Sequence, residues 1–376
     1  MRAASTPLLT AQSAGYPTGG VKPYVKCILT HKTGSPTYDY TYDGTLTTNR
    51  ILTLNHRETL FDESATIVLR NEDLAVVDLS GYYVDLEYGA NTSGGNESLE
   101  CARLWVKECH EVERSMFSGA GAALLTVLKL TGQWNVAFEQ PLAIGNPPYY
   151  QDDFGQLKGK TVYACIEYLI ETTLSAMTDL TWLLDALTVD DGIINTLAPW
   201  PSDYEEIYMN PDAANGNYET IGDKIRDLIS MTNCKLLAQP NLHFKVVYPL
   251  PSDAVNETYY TSMSDGHVFY EDTQVRFPMV PAQFIVFGNI QEDSYLRGDA
   301  YNDGDYDGLF NYVGTYMDSV RIVHAQSLTS ESDLDAQARA YLAAAKANLF
   351  AGRSIISHDA RVELMDKVSV VRTRGT

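Results

Sequence analysis

The stretch TIGDKIRDLISMTNCKLLAQPNLHFKVV, residues 220–247, sets out its local structure in order. Thr220 is a side-chain acceptor placed just before an apolar-periodic run. Asp223 stands three residues on as its reciprocal partner, so a helix starts here. Ile221, Ile225, Leu228 and Ile229 recur at the spacing of one helix face. The helix should end near Asn233. Lys235–Ala238 and His243–Val247 then read as two strands joined by a turn at Pro240-Asn241. A helix feeding a β-hairpin points to an α+β fold.

Upstream, residues 22–145 are β in character. Candidate strands are Tyr24–His31, Arg50–Asn55, Ala65–Arg70, Tyr82–Tyr88, Cys101–Glu108 and Leu124–Leu130. Ala102, Leu104 and Val106 share one face, with Arg103, Trp105 and Lys107 on the other, the pattern of a half-buried strand. Loops rich in Gly, Asn and Ser, such as Ala90–Ser98, separate the runs and predict a sandwich or small barrel. Residues 146–218 change character. Val162, Ile166, Leu169, Ile170, Leu174 and Met177 fall at helical spacing, Leu180–Leu187 reads as another short helix, and Pro199, Pro201 and Pro211 close the segment. This is a mainly helical module between two β units. Residues 1–21 have no periodicity and read as a flexible N-terminal arm.

Downstream, residues 219–376 form the second β unit. It contains the helix-hairpin, a strand at Phe284–Phe287, a long acidic loop, and a strand at 317–324. A long helix follows over 331–350, with Ser330 and Asp333 at its start and Leu334, Ala338, Tyr341, Leu342, Ala345 and Leu349 on one face. Gly352 is its stop signal. The tail carries two short strands, Ile355–Ser357 and Val368–Val371.

The chain has 376 residues, enough for two or three domains at roughly 100–200 residues each. Its 27 Lys and Arg against 49 Asp and Glu give a net charge of −22, which excludes a general nucleic-acid-binding surface. That charge is compatible with a wall that DNA must pass without sticking. No apolar run approaches the about 20 residues of a membrane span, and neither a membrane anchor nor a secretory leader is read. Five widely spaced cysteines, Cys27, Cys101, Cys109, Cys165 and Cys234, contain no CxxC and read as buried free thiols rather than a zinc site. Tyrosine is abundant at 25 residues against 11 Phe, which suits half-wet surfaces and subunit contacts.

The signatures GxSxG, HExxH and GxxxxGK[ST] do not occur, and the seven histidines are scattered. One run has metal-binding spacing. Asp303-Gly304-Asp305-Tyr306-Asp307-Gly308 fits the start of a calcium loop, where Asp303, Asp305 and Asp307 converge on one ion and the glycine permits the turn. The twelfth position is Gly314, so the bidentate Glu of such loops is replaced. Acidic pairs such as Glu205-Glu206 and Asp190-Asp191 are the candidates for a two-carboxylate hydrolase.

The order of units resembles the tail hub proteins of bacteriophages and related injection machines: the baseplate hub of contractile tails and the matching part of type VI secretion spikes. Three stretches carry the resemblance. They are Thr220–Ile229 with Cys234–Val247, the late Ala-rich helix from Ser330 to Leu349, and Val362-Glu363-Leu364-Met365-Asp366-Lys367-Val368-Ser369-Val370. The last is similar to a closing x-L-G-D-x-V-x-V, with Met365 where Gly is usual. The resemblance implies two tail-tube-like β-barrels, over 22–145 and 219–376, in a homotrimer whose six barrels match a sixfold tube on one side and a threefold spike or fibre on the other. It implies a virion tail protein assembled in the host bacterial cytoplasm, with the tail tube or distal tail protein and a central spike or fibre as partners. DNA would only pass through the channel, and no catalytic residue is implied. Two other readings follow from the residues: a receptor- or glycan-binding tail protein that uses calcium, and a cell-wall hydrolase.

Overall fold

Period-two burial along residues 22–132 builds one large antiparallel sheet. The computed structural model describes residues 2–13, 22–43, 49–114, 123–141, 159–196, 198, 220–250, 252–260, 269–274, 281–291, 294–302, 320–324, 330–347, 352–356 and 358–371. The sheet comprises β1 (Lys22–His31), β2 (Thr37–Tyr42), β3 (Ile51–Thr59), β4 (Asp62–Arg70), β5 (Tyr82–Thr92), β6 (Gly95–Glu100), β7 (Leu104–Arg114) and β8 (Ala123–Gly132). Its order is β2-β1-β5-β7-β8-β4-β3, with β6 paired to the far end of β5. Cys27, Leu29, Ile67, Leu69, Val84, Leu86, Leu104 and Leu128 alternate inward and form its core. The two edge strands end in that same core through Tyr40 and Ile51, and Asp43 N–H donates to Asn49 Oδ1 at 3.2 Å. No ladder joins β2 to β3 among the described residues, so the sheet forms no closed barrel.

Two of its strands escaped the sequence reading. β2 carries Tyr38, Tyr40 and Tyr42 alternating with Asp39 and Thr41, an aromatic strand pattern interrupted by no apolar aliphatic residue. β6 lies where a loop was expected. It is polar because it is an edge strand paired only with β5, and the connection at Ser93-Gly94 turns with Gly95 at φ +116°.

A second core lies on the other side of β7 and β8. It is formed by α2 (Gln133–Glu139), α3 (Val162–Glu167), which continues through π-helical residues 168–174 into α4 (Ser175–Thr178), and by β9 (Leu183–Leu184), α5 (Ile221–Ser230), β10 (Lys235–Gln239) and β11 (His243–Val247). Trp134, Ile166, Leu169, Ile170, Leu174, Trp182, Ile221, Ile225, Leu228, Ile229 and Phe244 are all buried in it. The core therefore draws on all three of the expected segments 22–145, 146–218 and 219–376. Trp105 stacks on Trp182 with centroids 5.9 Å apart, so the face of β7 opposite Leu104 is covered rather than solvated.

The helix-hairpin forms as its sequence dictates. Thr220 Oγ1 accepts from Asp223 N–H at 3.0 Å and donates to the Asp223 carboxylate at 2.7 Å. The hairpin turns through Asn241 and Leu242, both at positive φ. The expected short helix over 180–187 does not form. Asp179 ends α4 at φ +55°. Trp182 Nε1–H then donates to Thr178 Oγ1 at 2.8 Å and Leu184 N–H to Glu171 Oε1 at 2.9 Å. The chain is held extended there, and β9 pairs in parallel with β11.

The C-terminal part contains three small sheets. β12 (Glu257–Tyr260) pairs in parallel with β18 (Val368–Val371), and β13 (Phe269–Gln274) pairs antiparallel with β17 (Gly352–Ile356). β14 (Gln283–Gln291) lies between antiparallel β15 (Ser294–Tyr301) and parallel β16 (Val320–His324). β12, β13 and β15 were not read from the sequence; β15 begins the stretch expected to be an acidic loop. The long helix, α6 (Glu331–Ala347), lays Leu334, Ala338 and Leu342 onto Phe284, Val286 and Ala300. Gly298 lies beneath it: a Cβ there would stand 2.6 Å from Leu334 Cβ and closer still to the helix backbone. No closed barrel forms among these strands either.

The N-terminal arm is not free over residues 2–13. α1 (Thr6–Ser13) packs along β5 with Leu8 buried, because an apolar side chain there has a sheet face to cover. Ser5 Oγ–H donates to Glu97, and Arg2 N–H donates to Arg361 O at 2.8 Å.

Candidate functional site

Three distant parts of the chain converge on one polar node: the docked N-terminus, the β3–β5 side of the large sheet, and the segment before β18. His56 and Glu58 lie two apart on β3 and so share a face. Cys101, just after β6, is fastened to β5 by its N–H, which donates to Leu86 O at 2.8 Å. The metal-binding atoms of His56, Glu58 and Cys101 all lie within 4.8 Å of one another. His56 Nε2 is 3.6 Å from Glu58 Oε1. The His56 ring stacks on Tyr88 at 5.8 Å, and His358 packs on the same Tyr88 ring at 4.5 Å.

Arg2 reaches across the node. Its guanidinium lies 3.8 Å from Glu58 and 3.7 Å from Glu363, and its Nη1 donates to Ala360 O at 3.2 Å. Beside it, Arg361 pairs with Asp359 and with Glu257, each at 2.6 Å, and Tyr259 O–H donates to Asp359 at 2.9 Å. Burial works against the Asp359 carboxylate, but the hydrogen bonds from Arg361 outweigh it and hold its pKa below the usual value.

Burial governs the other groups. It pushes His56 down to about 4, with Arg2 adding to the effect, and pushes the Cys101 thiol up to about 12. It also raises Glu58 and lowers His358. A thiol held protonated beside a neutral imidazole is the opposite of an activated nucleophile, which needs its pKa depressed. The node can act as a structural latch or hold a cation; it is not arranged for acyl chemistry. Among the described residues it is also the only trio of His, Cys, Asp or Glu close enough to share a metal. Sequence reasoning missed it because its members are 2, 43 and 45 residues apart and meet only where strands that are not paired face each other across the core.

The residues singled out from the sequence fare differently. Asp303, Asp305 and Asp307 lie outside the described residues, as do Glu205 and Glu206. Asp190 and Asp191 shape a turn: Asp190 accepts from Gly192 N–H, and Asp191 accepts from Ile193, Ile194 and Asn233 N–H. Carboxylates spent on backbone donors in this way are helix- and turn-capping groups. A shallow cavity of about 350 Å³ opens between β15 and α6, lined by Asp299, Tyr301, Arg339, Leu342 and Lys346. No helix among the described residues is long and apolar enough to cross a membrane.

No family model matches the sequence, and no curated protein sequence matches it. Solved structures do match. A tail protein from Neisseria meningitidis MC58 superposes with a TM-score of 0.56 at 10% identity, covering 93% of this chain and 86% of that one. The 43 kDa tail protein of prophage MuSo2 from Shewanella oneidensis superposes with a TM-score of 0.53 at 7% identity, covering 92% and 88%. Over more than nine-tenths of its length the chain shares its fold with these two tail proteins.

Proposed function

We propose that the chain is a structural component of a phage tail or related injection apparatus. In this reading it is a homotrimeric hub at the distal end of the tube, and it adapts a sixfold tube to a threefold spike or fibre. One observation carries the proposal: the fold follows two tail proteins over more than nine-tenths of the chain, rather than sharing one common domain with them. The arrangement of the molecule supports it. The large sheet over 22–132 and the small sheets after residue 249 correspond to the two barrel-like units of the hub reading, with the helical module of 146–218 between them. Among the described residues no ladder closes either one. A two-stranded parallel sheet such as β12–β18 is short of the cover that parallel strands require, and Tyr260, Val368 and Val371 on it are exposed. A neighbouring subunit would supply that cover. Three copies at −22 each carry −66, which keeps DNA from adhering to an axial channel. Tube or distal tail protein and a spike or fibre are the partners, and the work is done by interfaces rather than by chemistry.

Light scattering on the purified chain, with negative-stain images of the same peak, tests this. A threefold ring with an axial hole is expected, formed alone or on co-expression with the neighbouring tail proteins. A chain that stays monomeric in their presence refutes the hub.

A further inference from the structure

We propose that His56, Glu58 and Cys101 form a zinc site that staples β3 to the segment joining β6 and β7. The argument starts from donor chemistry. One thiolate sulfur, one imidazole nitrogen and one carboxylate oxygen make a mixed set that suits a borderline-soft cation, whereas calcium and magnesium take oxygen alone. Zinc bonds to these atoms are about 2.0–2.3 Å, so tetrahedral ligand atoms lie roughly 3.3–3.8 Å apart. The three side chains already lie within 4.8 Å of one another. Rotations that move each tip by about 1 Å close the difference without moving a strand.

Position is fixed by the fold. The His56 ring is held against Tyr88, β3 sets Glu58 on the same face, and the Leu86 carbonyl anchors Cys101. Three protein ligands leave a fourth position for water. Charge balances as well: Zn²⁺ with Cys101 thiolate, Glu58 carboxylate and neutral His56 gives a neutral centre, and the thiol proton passes to solvent. A neutral centre is what a buried site needs. Arg2, which shares its guanidinium between Glu58 and Glu363, keeps Glu363 as its counter-ion when Glu58 turns to the metal. Its bond to Ala360 O also holds Arg2 beside the site.

The experiment uses the full-length, untagged chain. Elemental analysis after purification without chelator is expected to give one zinc per chain, and zinc-edge X-ray absorption a shell of one sulfur with nitrogen and oxygen. Replacement by Co²⁺ should produce a thiolate-to-cobalt charge-transfer band that is lost in Cys101→Ser and kept in Cys27→Ser, the neighbouring buried thiol of the same core. Metal at trace levels with no cobalt band, a shell without sulfur, or a band that survives Cys101→Ser overturns the site. The absorption spectrum is read on the wild-type chain, so a variant that fails to fold does not shield the proposal.

Discussion

Gly298→Ala is the sharpest perturbation of the C-terminal part. Gly298 lies on β15 directly beneath α6. An added methyl would stand 2.6 Å from Leu334 Cβ and closer to the Leu334 carbonyl carbon and the Asp335 nitrogen. Ordinary carbon contacts are about 3.5–4.0 Å, so the helix must lift by roughly 1 Å. The obstacle is helix backbone, which cannot rotate aside as a side-chain tip can. Lifting loosens Leu334, Ala338 and Leu342 from Phe284, Val286 and Ala300, and a gap of 0.5–1 Å forfeits about a quarter to a half of the dispersion energy there. It also stretches the bond from Asp299 N–H to Asp335 Oδ1, now 2.9 Å, worth about 1 kcal/mol. Against this, removing a strand glycine regains about 0.5–1 kcal/mol of chain entropy. Overpacking of about 1–3 kcal/mol plus the strained hydrogen bond outweighs that gain, leaving a net loss of about 2 kcal/mol. The described residues form three separate cores, so a single global unfolding curve would blur the effect. Hydrogen exchange resolves it: α6 amides should lose protection by about 30-fold while α5 amides keep theirs. Unchanged protection in α6 would refute the seating of the helix on Gly298.

Two further outcomes follow from single residues. Glu63 is buried, with its Oε2 accepting only a long 3.3 Å bond from Gln133 N–H, and burial, then Glu58, raise its pKa from 4.5 to about 8. The folded state therefore holds this proton more tightly than the unfolded chain. Stability should fall as pH rises from about 4.5 to about 8 and level off above; Glu63→Gln should flatten that slope in melting temperatures measured across the window, and parallel curves would exclude a carboxyl buried in this way. Met365 sits at φ +69° and is 40% exposed, so Met365→Gly should raise the urea midpoint by an amount equivalent to a few tenths to about 1 kcal/mol, whereas a loss of that size would show that the Met365 side chain contributes more packing than its backbone costs.

What could be read from the sequence was local. The Thr220 cap, the α5 stripe and the β10–β11 turn depend on residues three to eight apart, and each formed where the pattern placed it. The α6 face formed in the same way through Leu334, Ala338 and Leu342. Strands with an apolar alternation were found; β2, β6, β12, β13 and β15 were not, because on edge and two-stranded sheets the backbone ladder, not apolar burial, holds the strand. Leu180–Leu187 misled for the converse reason. Its apolar residues suit a helix, but the Ser175 and Glu171 side chains accept from the Trp182 and Leu184 backbone N–H groups and hold the segment as a strand. The polar node was invisible because packing across the core between non-adjacent strands, which no local pattern encodes, brings His56 and Glu58 on β3 against Cys101 beside β5.

The closing turn shows how side-chain bonds hold a backbone geometry that its residue type does not favour. The turn reads Leu364-Met365-Asp366, with methionine where the sequence reading looked for glycine. The middle position is at positive φ, the conformation that favours glycine. The Asp366 carboxylate accepts from Glu363 N–H at 2.8 Å, and Asp366 N–H donates back to Glu363 O at 3.2 Å. The aspartate closes the turn with its side chain, so the backbone holds a left-handed residue although that residue is methionine. Lys367, next in line, then meets Asn256: its N–H donates to Asn256 Oδ1 at 2.9 Å and its carbonyl accepts from Asn256 N–H at 2.7 Å. That exchange sets β18 in register on β12. Comparison of backbones finds tail proteins where comparison with family models and curated sequences finds no match.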